Sequence, residues 1–359
     1  MHFALNKVVP QAFELVLELF RGQAFLLQGA GPDKEENAMK KLVCMICVGM
    51  MMVMLAAGCA EQKKGDTYKV AIVQLVDNSA FSEMISAFEN KMRELGYTED
   101  KMTFEVKNAQ GDMSTLNSIC AELKNADYDL VVPIVTPAAQ AVVNQELSVP
   151  AVFISVTDPV GAGIMSSMEA PDKNATGTSN IVPVDEIFAL AKQLTPEIQN
   201  IGVLYCTGEK NAVLTVEKAK TFFDANEYIY EEVTVANSSE VQQAAQLLAG
   251  KVDAIYVPID STVQSAMAQV VEAANKAGIP VYGSDPVMVK SGALACVSVS
   301  NTQLGERSAE MADQILKGKK VSEVPAEAMT TYQYVVSKSA AQTLGITIPQ
   351  LDNLIIMGE

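Results

Sequence analysis

Histidine is almost missing from this chain: of 359 residues only His2 is one. Without an imidazole beyond position 2 there is no Ser–His or Cys–His nucleophile pair and no histidine metal ligand. Most hydrolases and zinc enzymes are thereby excluded. Cysteine is also sparse, and of the six, Cys44 and Cys47 fall in an apolar run and Cys59 follows it directly. Cys120, Cys206 and Cys296 stand isolated in apolar surroundings, an odd and scattered set that reads as buried thiols and not as disulfides or a metal site. Basic residues are outnumbered, 26 against 43 acidic ones, for a net charge of −17. Such an acidic surface repels phosphate backbones, so no nucleic-acid partner is expected. No Walker sequence occurs, and Gly161-Ala162-Gly163 lacks the third glycine of a dinucleotide fingerprint and follows the wrong strand. No catalytic residue, cofactor or metal is expected.

What the chain does carry near its start is Lys40-Lys41, an apolar stretch from Leu42 to Leu55, and the small-residue exit Ala56-Ala57-Gly58 before Cys59. These are the parts of a secretory signal. The apolar stretch falls short of the roughly 20 residues that span a bilayer, and polar residues 61–66 follow it. The exit resembles the lipobox of bacterial lipoproteins, in which the cysteine takes a diacylglycerol and becomes the first mature residue. Residues 1–38 do not fit a signal and read as a start placed too early, with Met39 as the true first residue. Residues 39–58 are then the signal peptide and 59–67 a polar tether. The chain from Cys59 onward is expected outside the cytoplasm, held to the membrane by acyl chains. Its 301 residues suffice for two domains, and a monomer is expected.

From Tyr68 the chain alternates short apolar runs with amphipathic helical patterns, which indicates parallel sheets covered on both faces. The order then repeats. Asp129-Leu-Val-Val-Pro133 pairs with Asp253-Ala-Ile-Tyr-Val-Pro258, and Thr157-Asp158-Pro159-Val160 with Ser284-Asp285-Pro286-Val287, at offsets of 125 and 127 residues between the prolines. A near-constant offset indicates two related lobes. The expected architecture is α/β, two doubly wound parallel-sheet lobes joined by a multi-segment hinge. Residues 68–181 with about 300–330 form the first lobe, and 182–299 with about 331–359 the second.

In open parallel sheets ligands lie beyond the carboxyl ends of the strands. Seven loops should therefore face a shared cleft: 74–81, 108–112, 136–138, 155–159, 205–211, 258–262 and 283–286. Gln74 opens the first of them. Thr136-Pro137-Ala138 reads as a helix start with Thr136 as N-cap, and its free N–H groups suit a carboxylate. Ser155 and Thr157 add hydroxyls. An ammonium group needs an anion, supplied by Asp260 or Asp285 from the second lobe, or by Asp77 or Asp158 from the first. Asp158 and Asp285 each precede a proline, and taken singly each reads better as a helix cap than as a ligand anion. Asp260 is less cap-like and is the best single anion. Phe81 and Tyr205 would line an apolar pocket.

The segments 70–75 (VAIVQL), 108–112 (NAQGD), 136–140 (TPAAQ), 156–160 (VTDPV), 202–205 (GVLY), 240–245 (EVQQAA), 251–258 (KVDAIYVP) and 344–349 (LGITIP) carry a resemblance over nearly the whole mature chain. They are similar to the tryptophan/tyrosine-type substrate-binding proteins of ABC transporters. The resemblance implies a type I periplasmic-binding-protein fold, a lipid anchor, and capture of a small amino-acid-like ligand, aromatic in some members. Delivery would be to a membrane permease driven by a cytoplasmic ATPase. The family commonly has His-Pro in the first loop, where this chain has Asp77-Asn78-Ser79-Ala80, a departure that bears on ligand choice and not on the receptor role. Two other readings stay open: a receptor feeding a signalling protein, and an α/β enzyme using the cleft.

Overall fold

The computed structural model describes residues 67–351 and 353–358. The expected signal peptide, Cys59 and all of the expected tether except Thr67 lie outside the described residues. The first sheet begins with β1 (Tyr68–Gln74), α1 (Ser79–Glu94), β2 (Met102–Asn108), α2 (Met113–Glu122), β3 (Leu130–Pro133), α3 (Val135–Val143), β4 (Ala151–Phe153) and β5 (Ala175–Ser179). The second comprises α4 (Val184–Leu194), β6 (Asn200–Cys206), α5 (Lys210–Ala225), β7 (Ile229–Val235), α6 (Val241–Ala249), β8 (Ala254–Tyr256), α7 (Ser261–Ser265), α8 (Met267–Ala277), β9 (Val281–Gly283), α9 (Pro286–Lys290) and β10 (Ala295–Val299). The chain then returns with α10 (Asn301–Leu316) and β11 (Glu327–Ala328) to the first sheet. It ends with β12 (Tyr332–Ser337), α11 (Lys338–Leu344) and β13 (Leu354–Met357) on the second.

The sheet orders are β11-β5-β4-β3-β1-β2 and β13-β12-β10-β9-β8-β6-β7. Every pairing is parallel except β10 with β12. The first five strands of each lobe thus share one order, second-first-third-fourth-fifth, which is the duplication seen in the offsets. Asp129 and Asp253 repeat even in their contacts. Asp129 accepts from the Lys69 N–H at the start of β1, and Asp253 from the Asn200 N–H at the start of β6, at 2.9 and 2.8 Å. Each central strand buries both faces. On β1, Val70 and Ile72 pack into one layer of core while Ala71 and Val73 pack into the other. On β6, Val203 and Leu204 divide the same way. That double burial is why these strands read as unbroken apolar runs. Cys120, Cys206 and Cys296 are buried free thiols.

Several elements differ from the reading of the sequence. The stretch ATGTS is β5, every residue of it buried. Its two threonine hydroxyls are satisfied by the return segment: Thr176 Oγ1 donates to Val324 O at 2.8 Å, and Thr178 Oγ1 meets Ser308 Oγ of α10 at 2.9 Å. Strand β4 spans only Ala151–Phe153, and α3 starts at Val135, ahead of Pro137 and of the expected N-cap Thr136. Residues 261–277 form two helices that break at Ala266. In the first lobe α10 lies so close on α1 that a Cβ at Gly305 would sit 2.4 Å from Met84 O. Among the described residues no helix is long and apolar enough to cross a membrane.

Candidate functional site

Strands β1, β3, β4 and β5 are neighbours, so their carboxyl ends form one row. Gln74 ends β1, 4 % exposed, with its Oε1 unpartnered. Ser155 and Thr157 follow β4 and Asn180 follows β5; Ser155 Oγ, Thr157 Oγ1 and Asn180 Oδ1 are likewise buried without a partner. So is the Nδ2 of Asn78, whose Oδ1 accepts from the Phe81 N–H and caps α1. Buried polar atoms nearly always have a partner, and each one left without costs about 1–3 kcal/mol. Five in one row describe a surface shaped for a polar guest.

The backbone here is forced as well. Val135 (φ 59°) and Ser155 (φ 67°) both sit in the left-handed region, costly for a β-branched residue. They are tied together where the Val135 N–H donates to Ile154 O at 2.9 Å. No side chain caps α3; the Ile134 and Val135 N–H groups go to Val73 O and Ile154 O and Pro137 has none, which leaves the Thr136 N–H of the first turn for a guest.

Five expected residues change role. Thr136 is not the N-cap of α3 but its second residue, and its fully buried Oγ1 accepts from the Thr157 N–H at 3.4 Å. Ala138 packs in the core. Phe81 also belongs to the core, 3 % exposed, and Tyr205 turns to the neighbouring strand, donating its hydroxyl to Glu232 at 3.0 Å. Asp260, the favoured anion, is a cap. Its Oδ1 accepts from Val263 N–H at 2.8 Å and its other oxygen from Cys206 N–H, with no exposed surface left. Burial, then the neighbouring Glu209 carboxylate, pushes its pKa well up. Glu209 in turn accepts from the N–H groups of Ser261 and Thr262. The pair staples β6 to α7 and is closed to a ligand.

Of the other acids, Asp77 is exposed and accepts from Ser82 Oγ. Asp285 caps α9, accepting from the Val287 N–H, and is held by Asn301 Nδ2 at 3.4 Å. Asp158 accepts from the Gly161 N–H and pairs with Lys218 Nζ of α5 at 3.0 Å, across the two lobes. Burial pushes its pKa up, but the Gly161 N–H and the Lys218 ammonium outweigh that and hold the carboxyl below its ordinary range. Among the described residues the second lobe has four buried atoms without partners: Tyr256 Oη and Ser298 Oγ within strands β8 and β10, and Asn211 Oδ1 at the start of α5 and Gln264 Nε2 in α7, beyond strand ends. Asn78, Asn180, Asn211 and Gln264 were not singled out from sequence, since only their burial without a partner marks them. Beside Thr157 a cavity of about 480 Å³ opens between Thr157 and Asp158 on one side and Leu214, Thr215, Lys218 and Phe222 of α5 on the other, closed off by segment 181–185.

Residues 69–355 match the family described as ABC transporter substrate binding protein. The chain belongs to that family. A tyrosine-binding protein of Clostridioides difficile is 34 % identical over 328 residues, covering 88 % of this chain and 95 % of that one. A solved domain from Streptococcus pneumonia in complex with L-Trp is similar with a TM-score of 0.77 at 33 % identity, over 79 % of this chain and 96 % of that one. The ligand-free, open structure of a substrate binding protein with adhesive properties from Clostridium difficile is equally identical, 33 %, over 81 % of this chain and 99 % of that one. Its TM-score is only 0.63. As a member of this family it works outside the cytoplasm, with a small-molecule ligand and an ABC permease as partners.

Proposed function

We propose that the binding protein captures an aromatic amino acid between its lobes and hands it to the permease without chemistry, as a monomer anchored through a lipidated Cys59 after removal of signal 39–58. The observation that carries the ligand reading is the row of buried, unpartnered polar atoms, Gln74 Oε1, Ser155 Oγ, Thr157 Oγ1 and Asn180 Oδ1, beside the uncapped start of α3. The amide oxygens accept from the ammonium. The Thr136 N–H at the start of α3 and the two hydroxyls donate to the carboxylate, a neutral set suited to a neutral zwitterion. Closure adds Asn211 from the opposite lobe and expels water, which strengthens every one of these contacts. The relatives named for tyrosine and crystallised with L-Trp, 34 % and 33 % identical, support an aromatic side chain.

Titration of the chain from Cys59 onward with tyrosine, tryptophan, phenylalanine, leucine and aspartate tests this. The protein contains no tryptophan, so bound tryptophan is the only indole emitter in the sample. At 100 times its dissociation constant the ligand should stabilise the fold by about 2.7 kcal/mol. Absence of a melting shift with every aromatic amino acid refutes the reading.

A further inference from the structure

The cavity beside Thr157 has no role in holding the zwitterion as described, yet it adjoins the atoms that do. We propose that it is the side-chain pocket of the same ligand site, and that Leu214 and Phe222 of α5 set its preference for an aromatic ring. The proposal rests on the amino-acid reading above.

Thr157 joins the two features. It is 5 % exposed, its unpartnered Oγ1 belongs to the row at the strand ends, and the residue also walls the cavity. A zwitterion held on that row has its side chain next to the cavity mouth. At about 480 Å³ the space falls in the roughly 300–1,000 Å³ range of small-molecule sites, ample for a phenol or indole ring. The far wall is one stripe of α5: positions 214, 215, 218 and 222 recur at helical spacing. Leu214 and Phe222 on that stripe are only half-buried, apolar surface left wet unless a guest covers it. Phe222 is held in place from behind, its ring 6.2 Å from Tyr228 and 5.5 Å from Phe188, so a guest ring meets a fixed aromatic face. Lys218 pairs with Asp158 at 3.0 Å, and the exposed Asp185 also lines the cavity, so the rim carries a net negative charge. Apolar walls with an acidic rim exclude an anionic side chain, which would lose its hydration and meet a like charge.

Two variants test the pocket by filling it. Leu214→Trp places the protein's sole indole on the cavity wall, and Thr215→Phe fills the space from the adjacent position. Each is checked for folding by far-ultraviolet circular dichroism and ligand-free melting before titration with tyrosine and with leucine. The expected result is at least a tenfold loss of tyrosine affinity in both folded variants, with the affinity ratio of tyrosine to leucine falling by a similar factor. Emission of Leu214→Trp should also shift when saturating tyrosine is added. Wild-type binding of tyrosine with unchanged affinity in both variants overturns the pocket and leaves the amino-acid reading standing. If the wild type binds no aromatic amino acid, both fall.

Discussion

Asp285 ends β9 and caps α9, with its second oxygen held by Asn301. Burial pushes its pKa up to about 6, against an unfolded value near 4. Between those values the native state binds more protons than the unfolded chain. Stability present in acid is therefore lost as pH rises through about 6. Asparagine caps equally well and carries no charge. Asp285→Asn should thus be more stable than wild type at pH 7, with an advantage that shrinks as pH falls from 7 toward 4. Urea unfolding of both proteins across that range measures it, and a pH-independent difference would mean Asp285 does not titrate there. Thr157 supports a different expectation, because its hydroxyl is buried without a partner until a ligand arrives. Thr157→Val keeps the shape and removes the orphan. Ligand-free melting should be unchanged or higher, while affinity falls about tenfold, a loss of roughly 1.4 kcal/mol; a variant that melts lower and binds as before contradicts the assignment. Gln74, Ser155 and Thr157 were legible as candidates because strand-end position in a parallel sheet is itself a signal. Asp260 misled because its decisive partner, the Cys206 N–H, lies 54 positions away. Thr136 misled because α3 begins one residue earlier, at a valine in the left-handed region that side-chain preference argues against.

Helices and strands with a strong period were readable, and those that owe their existence to distant partners were not. Strand β5 looks like a polar loop as text. It is a strand because Thr176 and Thr178 find acceptors and hydroxyls on the return segment, 148 and 130 positions later. The break between α7 and α8 follows from the Asp260 cap, which starts a short helix of its own. The return helix α10 lies in the segment assigned to the first lobe from sequence, but its place against α1 depends on one missing side chain. At Gly305 a Cβ would stand 2.4 Å from Met84 O and 2.9 Å from Ala87 Cβ. Alanine is favoured over glycine inside an isolated helix by up to about 1 kcal/mol, so a free surface would be stabilised by the change. Here backbone meets backbone and α10 must move away. Gly305→Ala should therefore destabilise by about 1–3 kcal/mol net, read from denaturant midpoints. A stabilised variant would show that α10 is not held on α1 by close approach.

Closure couples the lobes through few direct contacts. Among the ion pairs between described residues, Asp158 with Lys218 joins the first lobe to α5 of the second, while α9 reaches α1 on the other flank. Lys218 remains 54 % exposed on its side chain and Asp158 25 %, so water and salt screen the pair and its worth is that of a surface bridge, about 0.2–1 kcal/mol. That is too little to hold an empty receptor shut, which suits a protein that must open to release its ligand. It is enough to bias a closed complex, because the pair forms only when the lobes meet and a ligand can shift the balance only by what it gains in one state over the other. Lys218→Gln should consequently weaken ligand binding by no more than about fivefold, chiefly through faster dissociation, and leave ligand-free melting unchanged. The wild-type affinity should fall between 50 mM and 500 mM salt, and the variant should lose most of that dependence. Stopped-flow dissociation at the two salt concentrations decides the point: equal salt dependence in both proteins would remove the ion pair from the closing step and leave the row of orphaned polar atoms to draw the lobes together alone.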